Sequence, residues 1–407
     1  MSVDLSPRQE RQFLLTLAGI QFSHIVDFMI MMPLGPILIQ AFGISTHQFG
    51  LLVASYSFSA AASGLLAATF IDRFERKRLL LFAFALFGLA TLACGLAPGY
   101  ASLLVARGLA GAFGGVLGAL VQTMVGDVIP YVRRAKAGGT VAAAFSISTI
   151  AGVPLSLWLA NLFTWRAPFV FIALLAAAFM LLGLRVLPEL RHHVSAEKPH
   201  PFAAIGDVLR DPNHARALLF SALIIFSGFT VIPYITLYTV NNIGIAQSDI
   251  PWIYLAGGAA TLLTARRIGH WADVHGKVAV YRIVALMATV PLLAITHLTA
   301  MPMACWLIGT TLFFVLVSGR MIPAMTIITS AAQPRLRGTF MSLNGTVQSV
   351  AMGLATTFSG FLISTDPNGK IIGYPTVGYI AVGANLIAIA FVSQIVIRDL
   401  TPPRTVI

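Results

Sequence analysis

Apolar residues in this chain come in long blocks, and polar residues gather in the short intervals between them. The blocks lie near 12–39, 48–70, 79–97, 100–127, 138–163, 167–187, 217–240, 250–271, 278–299, 303–330, 339–364 and 374–397. Each is close to or above the roughly 20 residues that carry a helix through the hydrocarbon of a bilayer. The pattern predicts an all-α membrane protein with twelve transmembrane helices and both termini on one side. The first block follows Arg8 and Arg11, ends in Pro33 and Pro36, and lacks a small-residue cleavage pattern, so it reads as a retained span.

Composition agrees with that reading. Hydrophobic residues make up 57% of the 407 and charged residues 10%, with a mean hydropathy of +0.87, which excludes an ordinary soluble fold. The formal net charge of +12 raises nucleic-acid binding, and its placement argues against it. With the N-terminus taken as cytoplasmic, 22 of the 26 Lys and Arg residues fall in inside segments and only Arg166 and Lys370 in outside loops, while Arg107 and Arg320 lie within spans. That asymmetry follows the positive-inside rule, so the basic charge sets orientation, with both termini cytoplasmic. Cys94 and Cys305 lie in the third and tenth blocks and imply neither a disulfide framework nor a metal motif.

The chain also repeats itself. The interval after the second block reads Ala68-Thr69-Phe70-Ile71-Asp72-Arg73-Phe74-Glu75-Arg76-Lys77, and the interval after the eighth reads Gly269-His270-Trp271-Ala272-Asp273-Val274-His275-Gly276-Lys277. Pro130-Tyr131-Val132-Arg133 after the fourth block returns as Pro334-Arg335-Leu336-Arg337 after the tenth. Between the copies lies a polar stretch rich in Pro, His and charge. This predicts a six-helix half over 1–187, a cytoplasmic linker over 188–215 and a second six-helix half over 216–407, two pseudo-symmetric bundles of a known transporter plan.

With these loops in view, the chain resembles the major facilitator superfamily over essentially its whole length. Gly269, Asp273, Gly276 and Lys277 match that family's G-x-x-x-D-x-x-G-[RK] loop motif. The first copy keeps Asp72 and Arg73 but has Ala68 and Glu75 in place of the glycines. Arg107 with Gly108, Gly111, Gly114, Gly115 and Gly118 resembles the R-x-x-x-G pattern of span four. Gly152-Val153-Pro154-Leu155-Ser156 and Trp165-Arg166-Ala167-Pro168-Phe169 look like the G-x-P-x-G and W-R-x-x-F signatures of twelve-span drug and sugar efflux members, with Ser156 replacing the last glycine. The resemblance implies that spans one, four, seven and ten line a central cavity, and that Asp72, Arg73, Gly269, Asp273, Gly276, Lys277, Gly152 and Pro154 take part in conformational gating.

Three charges interrupt the apolar blocks deep inside: Asp27 in the first, Arg107 in the fourth and Arg320 in the tenth. Each costs roughly 2.5–3.5 kcal/mol at the centre of a membrane helix, and such residues face a bundle interior or a water-filled cavity. They serve as helix locks or as parts of a transport pathway. Under the resemblance, all three fall on cavity-lining spans. A rise of ~1.5 Å per residue puts Asp27 about 18 Å and Arg107 about 10 Å from the outer ends of their spans, which leaves a direct or a water-mediated pair open. The proton affinity of a carboxyl group depends on its burial and on nearby cations, both of which change as a transporter opens and closes. Asp27 and Arg107 are therefore the expected proton-coupling pair, with His24, three residues before Asp27 on the same helix face, sharing the proton.

One carboxylate against two arginines leaves an excess of positive charge, which favours a substrate carrying a carboxylate or phosphate bound by the guanidinium of Arg320. Phe28 and Met31 beside Asp27, Tyr234 and Tyr238 in span seven, and Asn344 and Gln348 in span eleven are the expected walls. The sequence holds no paired carboxylates, nucleophile motif or metal cluster in or near the spans, and no phosphate loop. It therefore predicts a non-enzymatic secondary active transporter without metal or cofactor, exporting a small amphipathic or anionic molecule in exchange for protons. Import of an organic anion by proton symport or uniport is the alternative. The expected partners are the substrate, protons and membrane lipid, not nucleic acid. The expected setting is a bacterial inner membrane, with the chain as a monomer.

Overall fold

The computed structural model describes residues 6–71, 74–190 and 201–398. Among the described residues there are seventeen α-helices and one short hairpin. The chain divides into two compact units, one formed by 1–197 with 245–255 and the other by 198–244 with 256–407.

In the first unit, α1 (Pro7–Ile30) opens with a capping box between Ser6 and Gln9 and with Pro7 in its first turn. It stops at Ile30 and the helix resumes as α2 (Gly35–Phe42). The expected first span over 12–39 is thus two helices, because Pro33 has no N–H and disfavours helical geometry at the residue before it. Gly43 ends α2 at φ 62°, and a second capping box, Ser45 with Gln48, starts α3 (Thr46–Phe70). Then follow α4 (Arg76–Gly95), α5 (Tyr100–Val128), α6 (Tyr131–Ile147), a π-helical turn over Ser148–Gly152, α7 (Val153–Leu162) and α8 (Ala167–Val186). Pro154 cannot donate a backbone hydrogen bond, and the π-turn directly precedes it.

The second unit contains α9 (Pro201–Arg210), which occupies part of the stretch expected to be a plain linker, and α10 (Pro212–Phe229). A 3₁₀ turn over Ile232–Tyr234, α11 (Ile235–Tyr238) and a π-turn over Thr239–Ile243 continue the line of α10. Helix α12 (Ile250–His275) is followed by α13 (Lys277–His297), α14 (Met303–Gly319), α15 (Met321–Ala331) and α16 (Arg337–Leu362). The antiparallel pair β1 (Ser364–Thr365) and β2 (Ile371–Ile372) leads into α17 (Tyr374–Phe391).

Among the described residues, ten helical segments are long and apolar enough to cross a membrane. Blocks 250–271 and 339–364 also fold as helices, α12 and α16, each of 26 residues. Their polar content sets them apart from the ten. Arg266, Arg267 and Asp273 lie on α12, and Ser342, Asn344, Thr346 and Gln348 on α16.

Candidate functional site

The break after Ile30 leaves Asp27 in the last turn of α1, where helix carbonyls lack partners in their own helix. Arg107 lies two turns into α5. Its Nη1 meets Asp27 Oδ2 at 2.8 Å and also donates to the Asp27 backbone carbonyl at 3.1 Å. Neither side chain is exposed at all. The direct pair answers the question left open by counting rise along continuous helices: the first helix ends near Asp27 instead of continuing to residue 39.

Three further groups surround the pair, and none was singled out from sequence. The Arg107 guanidinium lies over the Tyr56 ring of α3, with Cζ 4.7 Å from the centroid. Thr91 and Cys94, both fully buried on α4, lie beside the pair, with Thr91 Oγ1 making no hydrogen bond among the described residues. Tyr56 reaches this position because α3 and α5 pack closely along Gly111, Gly114 and Gly115. A Cβ at Gly111 would stand 2.6 Å from Tyr56 Cα, and one at Gly115 2.7 Å from Ser63 Oγ. Small residues at helical spacing permit that approach.

His24 makes no side-chain hydrogen bond to Asp27. Its Nε2 is buried without a partner, and its carbonyl accepts from Tyr56 Oη at 3.4 Å. Phe28 packs on Tyr56 with centroids 5.2 Å apart, and Met31 is fully buried. The π-turn before Pro154 rests on α1 near Asp27: Ser148 Oγ donates to the Phe22 carbonyl at 3.4 Å, and Gly152 faces Val26 and Phe22. Among the described residues, Asp27 Oδ1 and Arg107 Nε and Nη2 find no hydrogen-bond partner. A carboxylate and a guanidinium are thus held fully buried and only partly satisfied by protein groups, a state that costs several kcal/mol per ion before their attraction offsets it.

In the second unit, Arg320 stands at the junction of α14 and α15 and is 1% exposed. Nη1 and Nη2 each lie 3.3 Å from Ser227 Oγ, Nη2 donates to the Ile224 carbonyl at 3.3 Å, and Nη1 donates to Asn385 Oδ1. Asn385 in turn donates to the Ala285 carbonyl of α13 at 2.7 Å. Arg320 therefore ties α10 to α17 through neutral acceptors, and no ion pair includes it among the described residues.

The four expected wall residues of this unit do not hydrogen-bond to Arg320. Tyr234 Oη donates to the Thr356 carbonyl at 3.0 Å, and Tyr238 Oη to the Leu298 carbonyl at 2.9 Å. Gln348 donates to Ser221 Oγ at 3.0 Å, and Asn344 is buried with Oδ1 unbonded.

Of the loop motif, Asp72 and Arg73 lie outside the described residues. In the second copy, Gly276 at φ 90° allows the turn between α12 and α13, Lys277 lies 3.7 Å from Asp273, and Gly269 packs loosely against Ile322. Within the first copy, Arg76 pairs with Asp127 of α5 at 3.2 Å and donates to the Ile71 carbonyl at 2.6 Å.

A polar knot in the second unit was also not foreseen. Asp211, which caps α10, accepts two bonds from Arg398 at 2.7 and 3.0 Å and one from Gln333 at 2.6 Å. The Arg398 guanidinium, aided by the Asn213 and Gln333 amides, holds the Asp211 carboxyl below the usual carboxylate range against the opposing effect of burial. Asn213 bonds the carbonyls of Ala331 and Val396, and His214 Nε2 accepts from the Gln333 N–H.

A family model described as Major Facilitator Superfamily matches residues 17–356. An "Uncharacterized MFS-type transporter YceJ" of Bacillus subtilis (strain 168) is 25% identical over 362 residues, covering 87% of this chain and 90% of the relative. A "Probable sugar efflux transporter" of Helicobacter pylori (strain P12) is 28% identical over 56% of this chain and 58% of its own length. Among solved structures, a bacterial homologue of the human lysosomal transporter Spinster, inward-facing and unoccupied, superposes with a TM-score of 0.76 at 18% identity, covering 98% of this chain and 100% of that one. The nucleoside transporter NupG reaches 0.74 at 12% identity, covering 95% and 99%. At these identities the structures speak for the fold alone.

Proposed function

Because the chain belongs to the major facilitator superfamily and is an integral membrane protein of that transporter fold, we propose that it is a proton-coupled secondary transporter exporting a small amphipathic molecule by alternating access. The observation that carries this reading is the direct, fully buried Asp27–Arg107 pair. In this reading Asp27 takes up a proton when its contact with Arg107 loosens and gives it up when the contact reforms, and each protonation state favours a different opening. His24, one turn away, is the exchange partner nearest in sequence. The π-turn before Pro154 is where α1 and the α6–α7 line adjust to one another. Twelve crossings, cytoplasmic termini and a bacterial inner membrane complete the proposal. The Helicobacter relative supports the direction, being named for sugar efflux.

A second reading, import of an organic anion by symport or uniport, draws on Arg320, a buried guanidinium bonded only to neutral acceptors among the described residues. The test is counterflow and gradient-driven transport in proteoliposomes, with a panel of sugars, organic cations and organic anions. Asp27→Asn is expected to abolish transport driven by a pH gradient and to retain exchange at equal pH. Gradient-driven transport at the native rate refutes the coupling role. Uptake confined to anions and lost in Arg320→Lys selects the second reading.

A further inference from the structure

Arg107 has partners of two kinds. The edge of its guanidinium meets Asp27, and its face meets the ring of Tyr56. Tyr56 is 5% exposed and held on several sides: α5 closes against it at Gly111 and Gly114, Phe28 packs on the ring, and its hydroxyl reaches the His24 carbonyl. Among the described residues, the titratable groups facing the guanidinium are Asp27 on α1, Tyr56 on α3 and Cys94 on α4, and the neighbouring His24 meets Tyr56 through its backbone carbonyl. Among the described residues, Asp27 is the only acid within ion-pair reach of Arg107. When Asp27 takes a proton, as the coupling reading requires, Arg107 is a buried cation with no carboxylate.

We propose that Tyr56 is the second counter-group of Arg107, its ring face holding the guanidinium in place during the half-cycle in which Asp27 is neutral. The need for that hold rests on the coupling reading, whereas the contact itself rests on geometry within one unit. The negative face of an aromatic ring attracts a cation whether or not a carboxylate is present, and more strongly in a dry site. Tyr56 is therefore a positioning residue that exchanges no proton. Without it, Arg107 would be free to turn toward water, and the site would lose the geometry that lets the pair reform.

The test varies the ring's charge distribution at nearly constant shape. Tyr56→Phe and its mono-, di- and trifluorinated analogues are installed by nonsense suppression in the full chain, once with Asp27 and once with Asp27→Asn, and unfolding is followed by SDS titration in mixed micelles. In the Asp27→Asn background the folded-to-unfolded ratio is expected to fall stepwise with each fluorine, by roughly 5- to 30-fold across the series. With Asp27 intact the fall is smaller, because the carboxylate carries part of the hold. Tyr56→Phe alone stays near the parent in both backgrounds. A flat series in both overturns the proposal and makes the ring ordinary packing. An equal fall in both overturns it as well, since the hold would then not depend on the charge of Asp27. Gradient-driven transport by Asp27→Asn is read separately. Its persistence defeats the coupling reading, while the fluorine series still reports on the contact.

Discussion

Two glycines on one helix should respond in opposite ways to the same methyl group. Gly111 and Gly118 both belong to the small-residue run of α5, two turns apart, and only the structure distinguishes them. A Cβ at Gly111 would stand 2.6 Å from Tyr56 Cα and 2.8 Å from its carbonyl carbon, backbone atoms that cannot rotate away. Ordinary carbon contact begins near 3.5–4.0 Å, so α3 and α5 must part locally by roughly 1 Å. Overpacking of this kind costs about 1–3 kcal/mol, and a backbone obstacle puts Gly111→Ala at the upper end. At Gly118 nothing lies within 4 Å of the added methyl, and alanine improves helix propensity by up to about 1 kcal/mol. Gly111→Ala and Gly118→Ala are therefore expected to differ by about 2–4 kcal/mol in SDS unfolding of the purified chain. Gly111→Ala should also weaken the response to Tyr56 fluorination, because it moves the ring off Arg107. Equal stability of the two variants would refute the close α3–α5 seat and the argument built on it.

Replacing Arg320 should loosen the second unit before it alters selectivity: Arg320→Ala leaves the buried Asn385 Oδ1 without its donor, at about 1–3 kcal/mol. The melting temperature in detergent is expected to fall in the order wild type, Arg320→Lys, Arg320→Ala, and native melting of both variants would remove the helix-tying role. Asp211→Asn should cost about 1.5–3 kcal/mol for each charge-assisted bond it weakens. The pH dependence follows from the sign of the shift. The folded carboxyl titrates below the usual range and the unfolded one near 3.9, so the stabilisation is complete at neutral pH and is lost as pH falls from about 4 through the lower folded value. Wild type should therefore lose melting temperature more steeply than Asp211→Asn on acidification below pH ~4. Parallel slopes would exclude Asp211 as the source.

The helical plan could be read from hydrophobic spacing alone, because a span needs only length and low polarity. Asp27, Arg107 and Arg320 stood out for the same reason, since a charge in an apolar block is costly enough to be conspicuous. What spacing could not supply was the far side of each contact. Asp27 and Arg107 are 80 residues apart, and their depths agreed only once Pro33 was seen to end the first helix. Tyr56 is one aromatic among many in an apolar run, and the glycines that seat it do not say which helix they face. Asn385 did carry a signal, an amide in the middle of the last apolar block, but nothing linked it to Arg320, 65 residues earlier. Asp211 lay in a polar interval where another acid is unremarkable, so its role became visible only with Gln333 and Arg398 beside it. The polar content of α12 and α16 reduced the apolar count among the described residues to ten without interrupting either helix.

The knot around Asp211 has a consequence for how the protein is made. Its parts lie at 211–214, 331–333 and 396–398, and Asp211 is separated from Arg398 by 187 residues. At ribosomal speeds of about 5–20 residues per second, Asp211 waits roughly 10–40 s for its guanidinium. During that time the helices between them must enter the membrane, while the cap of α10 depends on water for its remaining partners. Closure of the knot thus marks the completion of the second unit. A chain stalled between Gln333 and Val396 holds Asp211 by Gln333 and Asn213 by the Ala331 carbonyl alone, with the guanidinium and the Val396 contacts still missing.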